Sequence, residues 1–265
     1  MRTLYGLATS VVLGATALLA AEPTDPLARA RVLYNQRQFD AALAAADEGG
    51  RVPARRDSAD LIAARAYLER FRESAIPDDL TRARDRLLRL SPERLGARER
   101  VEFTIGLGEA LFFGESAGSA AEVFESVLAR REDLLPDARE RVLDWWASAL
   151  DRDVRPRPDI ERQTVYRKIR DRMQAELGAS PANDVAAYWL AAAAWAQGDL
   201  QAAWDAAQAG WVLAPLARDR GATLRGELDR LVQRGIAPDR ARSLAQPADA
   251  VRLEWESFKE RWNRR

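Results

Sequence analysis

Asp144 and Asp151 are the residues whose type and spacing come nearest to a catalytic pair. Seven positions apart, they would lie two turns along one helix face, with roughly 10 Å between α-carbons. That is wide for a retaining glycosidase and conceivable for an inverting one, whose carboxylates leave room for a water. Arg141, Arg152 and Arg155 stand beside them, which favours a solvated acidic face over a reaction centre. The remaining inventory is thinner. No Ser-x-x-Lys spacing occurs, and Gly106-Leu107-Gly108 lies inside a helical run with no strand before it, so it does not cradle a phosphate. The chain has no cysteine and no histidine, which removes thiol nucleophiles, disulfides, thiolate metal sites and the usual general base near neutral pH. No catalytic residue, cofactor or metal site is expected. A carboxylate-based hydrolase remains a remote alternative.

The charge balance narrows the partners. Lys+Arg and Asp+Glu both number 41 in 265 residues, so no net field draws nucleic acid to the molecule. With 47% hydrophobic residues the chain can bury a core. Residues 1–21 have the pattern of a secretory signal: Arg2, an apolar run from Leu4 to Ala21, then a polar, proline-containing segment. This predicts an exported, periplasmic or secreted protein. A membrane enters only if that segment stays uncleaved as an anchor, and no cysteine follows it to carry a lipid.

The elements that must position these residues are helices. Alternating Val, Ile and Thr runs are absent, while Ala, Leu, Arg and Glu, all strong helix formers, dominate every long segment. Proline-bearing breaks divide the chain into helices of roughly ten to twenty residues. A small residue in one helix is followed twelve positions later by another: Ala30 and Ala42, Gly108 and Ala120, Ala191 and Ala203. Such pairs let two antiparallel helices approach closely across a short turn. Ala64 and Ala147 start two further units. The intervals between the five starts are 34, 44, 39 and 44 residues, a 34-residue period with insertions at breaks.

Leu107-Gly108 with Ala120 and Phe124, and Leu190-Ala191 with Gly198, Ala203 and Pro215, resemble the tetratricopeptide repeat pattern. Phe39 before Ala42 fits it too. The resemblance spans about residues 25–217 and is weakest in the fourth unit, whose second helix (about 160–177) offers no convincing small residue. It implies an all-α solenoid of helical hairpins over residues 22–217, with residues 218–265 as C-terminal capping helices. It also implies a non-enzymatic scaffold that takes a protein or peptide on its concave face.

In that architecture the residues four after each small position project inward: Tyr34, Leu68, Phe112, Asp151 and Trp195. Seven before them stand Leu27, Leu61, Ile105, Asp144 and Tyr188. An apolar groove with one acidic patch would result, with Tyr34, Leu68, Phe112, Tyr188, Trp195, Asp144 and Asp151 as partner-binding candidates. Core packing between repeats is the competing role for Phe112 and Trp195. Of the adjacent Trp145 and Trp146, one should be buried. The Trp-rich last repeat, residues 187–215, leaves glycan binding as an alternative. Beyond it, "DRGATLRGELDRLVQRG" is expected as one helix, "APDRARSLA" as a second, and Val251, Trp255, Phe258 and Trp262 as one stripe of a final helix.

Overall fold

The computed structural model describes residues 25–130, 134–217 and 219–263. The expected signal segment therefore lies outside the described residues. Among those described there is no strand, and the helices pair off in order. The five hairpins are α1 (Pro26–Asn35) with α2 (Phe39–Gly49), α3 (Arg56–Ser74) with α4 (Pro77–Arg89), α5 (Ala97–Phe113) with α6 (Ala117–Leu128), α7 (Pro136–Val154) with α8 (Asp159–Ala179), and α9 (Asp184–Ala196) with α10 (Leu200–Leu213). Each pair's second helix also packs on the next pair's first helix, and the first helices lie side by side. The protein is an all-α solenoid of helical hairpins.

Local chemistry accounts for where these helices start. Pro26, Pro77 and Pro136 occupy first-turn positions, where the missing N–H costs nothing. The Asn183 side chain accepts from the Ala186 N–H at 2.9 Å, and Asp199 caps the Ala202 N–H at 3.1 Å.

One turn recurs. Arg37, Glu115 and Gly198, each seven residues after the small position of its unit, have left-handed φ of 61°, 65° and 77°. In each case that residue's N–H donates to the carbonyl three back, and the next N–H to the carbonyl five back. This is the Schellman closure of a helix C-terminus. Ala30, Ala42, Ala64, Ala120, Ala147, Ala191 and Ala203 are all 0% exposed. Gly108 meets the ring of Phe124 so closely that a Cβ there would lie 2.5 Å from it. The twelve-residue relation is thus a close helix–helix approach.

The fourth hairpin departs from the pattern for the reason its sequence suggests. Tyr166, Ile169 and Met173 fill the inner face of α8 where the other units place alanine. Bulk there holds α7 and α8 apart, and they meet over less of their length than the other pairs.

The C-terminal region differs from expectation in one respect. The two expected helices form one continuous run: α11 (Ala222–Leu231), a single wide π turn (Val232–Ile236) and α12 (Ala237–Ser243). Pro238 explains the widening. In a regular helix its ring would collide with the carbonyl four residues back. Here the Ala237 N–H reaches five residues back to Val232, opening the turn just before the proline. The helix ends at Ala245, φ 53°, with the same two Schellman hydrogen bonds as the hairpins. α13 (Ala248–Asn263) then folds back, so α11–α12 and α13 close the array like a sixth pair.

The expected stripe on α13 faces inward. Val251 and Trp255 are 0% exposed, and Phe258 is buried. The Trp255 ring lies edge-on to Trp204 and Trp211 of α10 at 5.8 and 5.6 Å, and its Nε1–H donates to Asp229 at 2.9 Å. Trp262, further along, keeps 38% exposure.

Candidate functional site: the inner groove

The outer seams between helices are clamped by arginines. Arg70 of α3 reaches Asp40 of α2 (2.8 Å) and Asp79 of α4 (3.2 Å). Arg86 of α4 reaches Asp47 of α2 and Asp60 of α3, both at 2.6 Å. Asp60, Asp79 and Glu176 are buried carboxylates, and each has an arginine partner, Arg139 serving Glu176. A planar guanidinium, with five donors in a fixed fork, holds two such carboxylates at once in a defined geometry.

The inner face, built from the first helices of the pairs, is different. Arg65, Glu69 and Arg72 of α3, Glu109 of α5 and Arg141 of α7 converge there with Tyr34 of α1. The Arg65 guanidinium lies 5.0 Å from the centre of the Tyr34 ring, and its Nη1 is 3.3 Å from Glu102. Burial pushes the Tyr34 hydroxyl up to about 12, with Arg65 pulling the other way. Glu109 and Arg141 make no hydrogen bond and no ion pair to any described residue. Burial pushes the Glu109 carboxyl up to about 7 against the pull of Arg65, and Glu69 adds to the rise.

Towards the C-terminus the groove becomes a cleft of about 350 Å³ lined by Tyr188 and Trp195 of α9, Glu227, Arg230 and Leu231 of α11, and Arg234 and Gly235 of the π turn. The π turn shapes this wall, because the edge of Trp195 occupies the place of a Cβ on Gly235, 2.7 Å away. The Trp195 Nε1–H donates to Asp239 at 2.9 Å, which fixes the indole against the cap.

The sequence-derived candidates divide accordingly. Tyr188 and Trp195 come together in the cleft. Asp144 borders it electrostatically and accepts from the Trp189 indole at 2.8 Å. Tyr34 is half-buried at the other end of the groove.

Leu68 needs correction. It is 1% exposed within the first core cluster, and Leu61 is equally buried, so neither can touch a partner. In α3 these positions are taken up by packing between neighbouring first helices. Phe112 is half-buried in an aromatic seam, edge-on to Trp145 at 5.0 Å and 5.4 Å from the Arg152 guanidinium. Trp145 also meets Phe113 and stacks on Phe124, whereas Trp146 is fully buried and donates to Glu125 at 2.8 Å. Asp151 accepts from the Tyr166 hydroxyl at 2.9 Å and pairs with Arg155, so it is engaged as a structural acceptor. Trp189, Trp204 and Trp211 are buried, leaving Trp195 as the one half-exposed tryptophan of the last repeat.

The groove residues absent from the sequence-derived set follow a simple rule. Arg65 and Glu109 stand one position after the small residues Ala64 and Gly108, about 100° around the helix, and so point into the groove. Charged residues at that offset were the available signal. Glu227, Arg230 and Arg234 had none, because their wall exists only where α11 docks on α9.

One further spacing calls for chemical scrutiny. Gly114-Glu115-Ser116-Ala117-Gly118 has the Gly-x-Ser-x-Gly form associated with serine nucleophiles. A nucleophile elbow needs a strand-to-helix turn and a general base. Here Ser116 lies in the helix-to-helix turn between α5 and α6, and the chain contains no histidine. It occupies the position that Gln38 and Asp199 hold in the equivalent turns. Among the described residues, no group of three or more acidic residues is arranged to hold a metal ion, and no helix is long and apolar enough to cross a membrane. No family model, curated protein or solved structure matches the chain.

Proposed function

We propose that this protein is a tetratricopeptide-like scaffold, exported to the cell envelope, that binds a polypeptide partner along the inner groove and performs no chemistry of its own. The observation that supports this most directly is the difference between the two faces. Arg70 and Arg86 are locked into ion pairs that join helices, while Glu109, Arg141, Glu227, Arg230 and Arg234 line the inner face without one. Half-exposed aromatics, Tyr188 and Trp195, stand among them. Unpaired charge beside aromatic surface on a rigid array is what a polypeptide-binding groove requires.

The test compares partner capture from envelope extracts by the full chain, by Arg141→Glu/Tyr188→Ala, and by the outer-face control Leu88→Asp, a position 81% exposed. The inner variant should lose the partners that wild type and the control both retain. Equal recovery by all three would refute the groove assignment.

A further inference from the structure

The arginines between α11 and α12 divide into two sets. Arg225 lies 5.1 Å from the centre of the Trp211 ring. Arg240 lies 5.0 Å from that of Trp204 and donates to Gln201 at 2.7 Å, and Arg242 pairs with Asp239. Arg230 and Arg234 make no hydrogen bond, ion pair or ring contact with any described residue. Both are exposed, and both line the cleft between α9 and α11, about one turn apart along one wall. Like charges four positions apart on a helix repel, so an anion lying between them would relieve a standing strain.

A single carboxylate lines the same cleft. Glu227 stands one turn from Arg230 but two turns from Arg234, roughly 10 Å along the helix. Asp239 is occupied by the Trp195 indole and by Arg242. Asp144, an acceptor for the Trp189 indole, and Asp184 act on Glu227 without lining the cleft. Two guanidinium groups therefore face the cleft against one carboxylate, a surplus of one positive charge.

The remaining lining suits an amino-acid side chain. The Tyr188 hydroxyl makes no hydrogen bond to a described residue, which leaves a third donor beside the two arginines. Trp195 and Leu231, both partly exposed, add apolar surface. The indole is held in place by Asp239 and by its close fit over Gly235. A volume of about 350 Å³ takes one short side chain with its flanking backbone.

We propose that this cleft receives the carboxylate of a glutamate or aspartate side chain from a partner polypeptide, held between Arg230 and Arg234, with a neighbouring apolar residue of that segment against Trp195 and Leu231. This assignment rests on the groove reading above and names the partner's chemistry. A guanidinium pair matches a carboxylate through charge-assisted N–H donors. Glu227 beside them disfavours a doubly charged phosphate. The second cleft, about 520 Å³ beside Arg37, Asp40, Arg70 and Glu73, does not compete, because Arg37 is paired with Glu73 and Arg70 with Asp40.

The experiment titrates the full chain with acetylated, amidated Gly-Glu-Leu-Gly and with its glutamine and arginine counterparts, following tryptophan emission and heat. Inorganic phosphate serves as the free-anion arm. Saturable binding of the glutamate peptide is expected, with the glutamine and arginine peptides silent and phosphate weaker. Arg234→Gln should weaken it by about tenfold, the loss of one charge-assisted contact. Arg230→Glu/Arg234→Glu should abolish it and take up the arginine peptide instead. Glu227→Gln should tighten it several-fold by removing the competing carboxylate. The two arginines are exposed and unpartnered, so these variants keep the fold, which circular dichroism verifies.

No saturable binding of the glutamate peptide at millimolar concentration would overturn the proposal, as would unchanged affinity in Arg234→Gln or weaker binding by Glu227→Gln. Equal binding of the glutamine or arginine peptide, or tighter binding of phosphate, would do the same. If Arg230→Glu/Arg234→Glu keeps the captured partners that Arg141→Glu/Tyr188→Ala loses, the groove reading stands and the acidic-segment assignment falls. If the glutamate peptide binds as expected while Arg141→Glu/Tyr188→Ala retains every partner, the cleft assignment stands and the groove reading falls.

Discussion

Glu109→Gln should make the protein more stable, and by an amount that grows with pH. The carboxyl sits half-buried on the inner face with no hydrogen-bond partner, and its environment raises it from 4.5 to about 7. The facing groups are Arg65, Glu69 and Arg72 on α3 and Arg141 on α7. A carboxyl raised on folding binds its proton more tightly in the folded state than in the unfolded one. Between pH 4.5 and 7 the folded state therefore holds more protons, and stability falls as pH rises. The shift of roughly 2.5 units at about 1.4 kcal/mol per unit puts the full loss near 3 kcal/mol above pH 7. Glutamine keeps the shape and removes the titration. The variant and wild type should therefore melt together near pH 4.5 and separate to about 6–12 °C by pH 8, at roughly 2–4 °C per kcal/mol. The assay is a pair of thermal melts at matched ionic strength across that range, in which the other titrating groups cancel in the difference. Parallel melting curves at every pH would show that Glu109 titrates as an ordinary surface carboxylate and would refute the reasoning.

Three further outcomes follow from the packing. Gly108→Ala should destabilise by about 1–3 kcal/mol in chemical denaturation, because its Cβ would meet Phe124 at 2.5 Å in a rigid core. Trp255→Ala should cost about 3–5 kcal/mol, and hydrogen exchange should show α13 and the α10 face opening first, since three indoles meet there. Glu125→Gln should lose about 1 kcal/mol at neutral pH through weakened contacts to Lys168, Trp146 and Arg172. Although burial opposes it, those partners hold the Glu125 carboxyl below its usual range. Its contribution is thus present above the ordinary glutamate pKa and lost as pH falls, so the Glu125→Gln deficit should vanish in acid, the opposite sense to Glu109.

The fold was legible because the residues that determine it act locally. Small residues at a fixed separation, prolines at helix starts and a Gly-Asp turn each specify a helix, a boundary or a close approach within one hairpin. The repeat of those signals is the solenoid. Even the want of a convincing small residue near 160–177 marks a real difference, since Tyr166, Ile169 and Met173 fill the buried face there.

The groove was harder to see. Leu61 and Tyr188 hold equivalent places in their repeats, yet one is sealed in the core and the other lines a cleft. Periodicity marks which face of a helix turns inward but not what the next hairpin lays across it. The cleft needs α11 docked beside α9, and a π turn that brings Gly235 under Trp195. Hairpins follow from neighbours in the chain; exposure follows from neighbours in space, which only the packed array brings together.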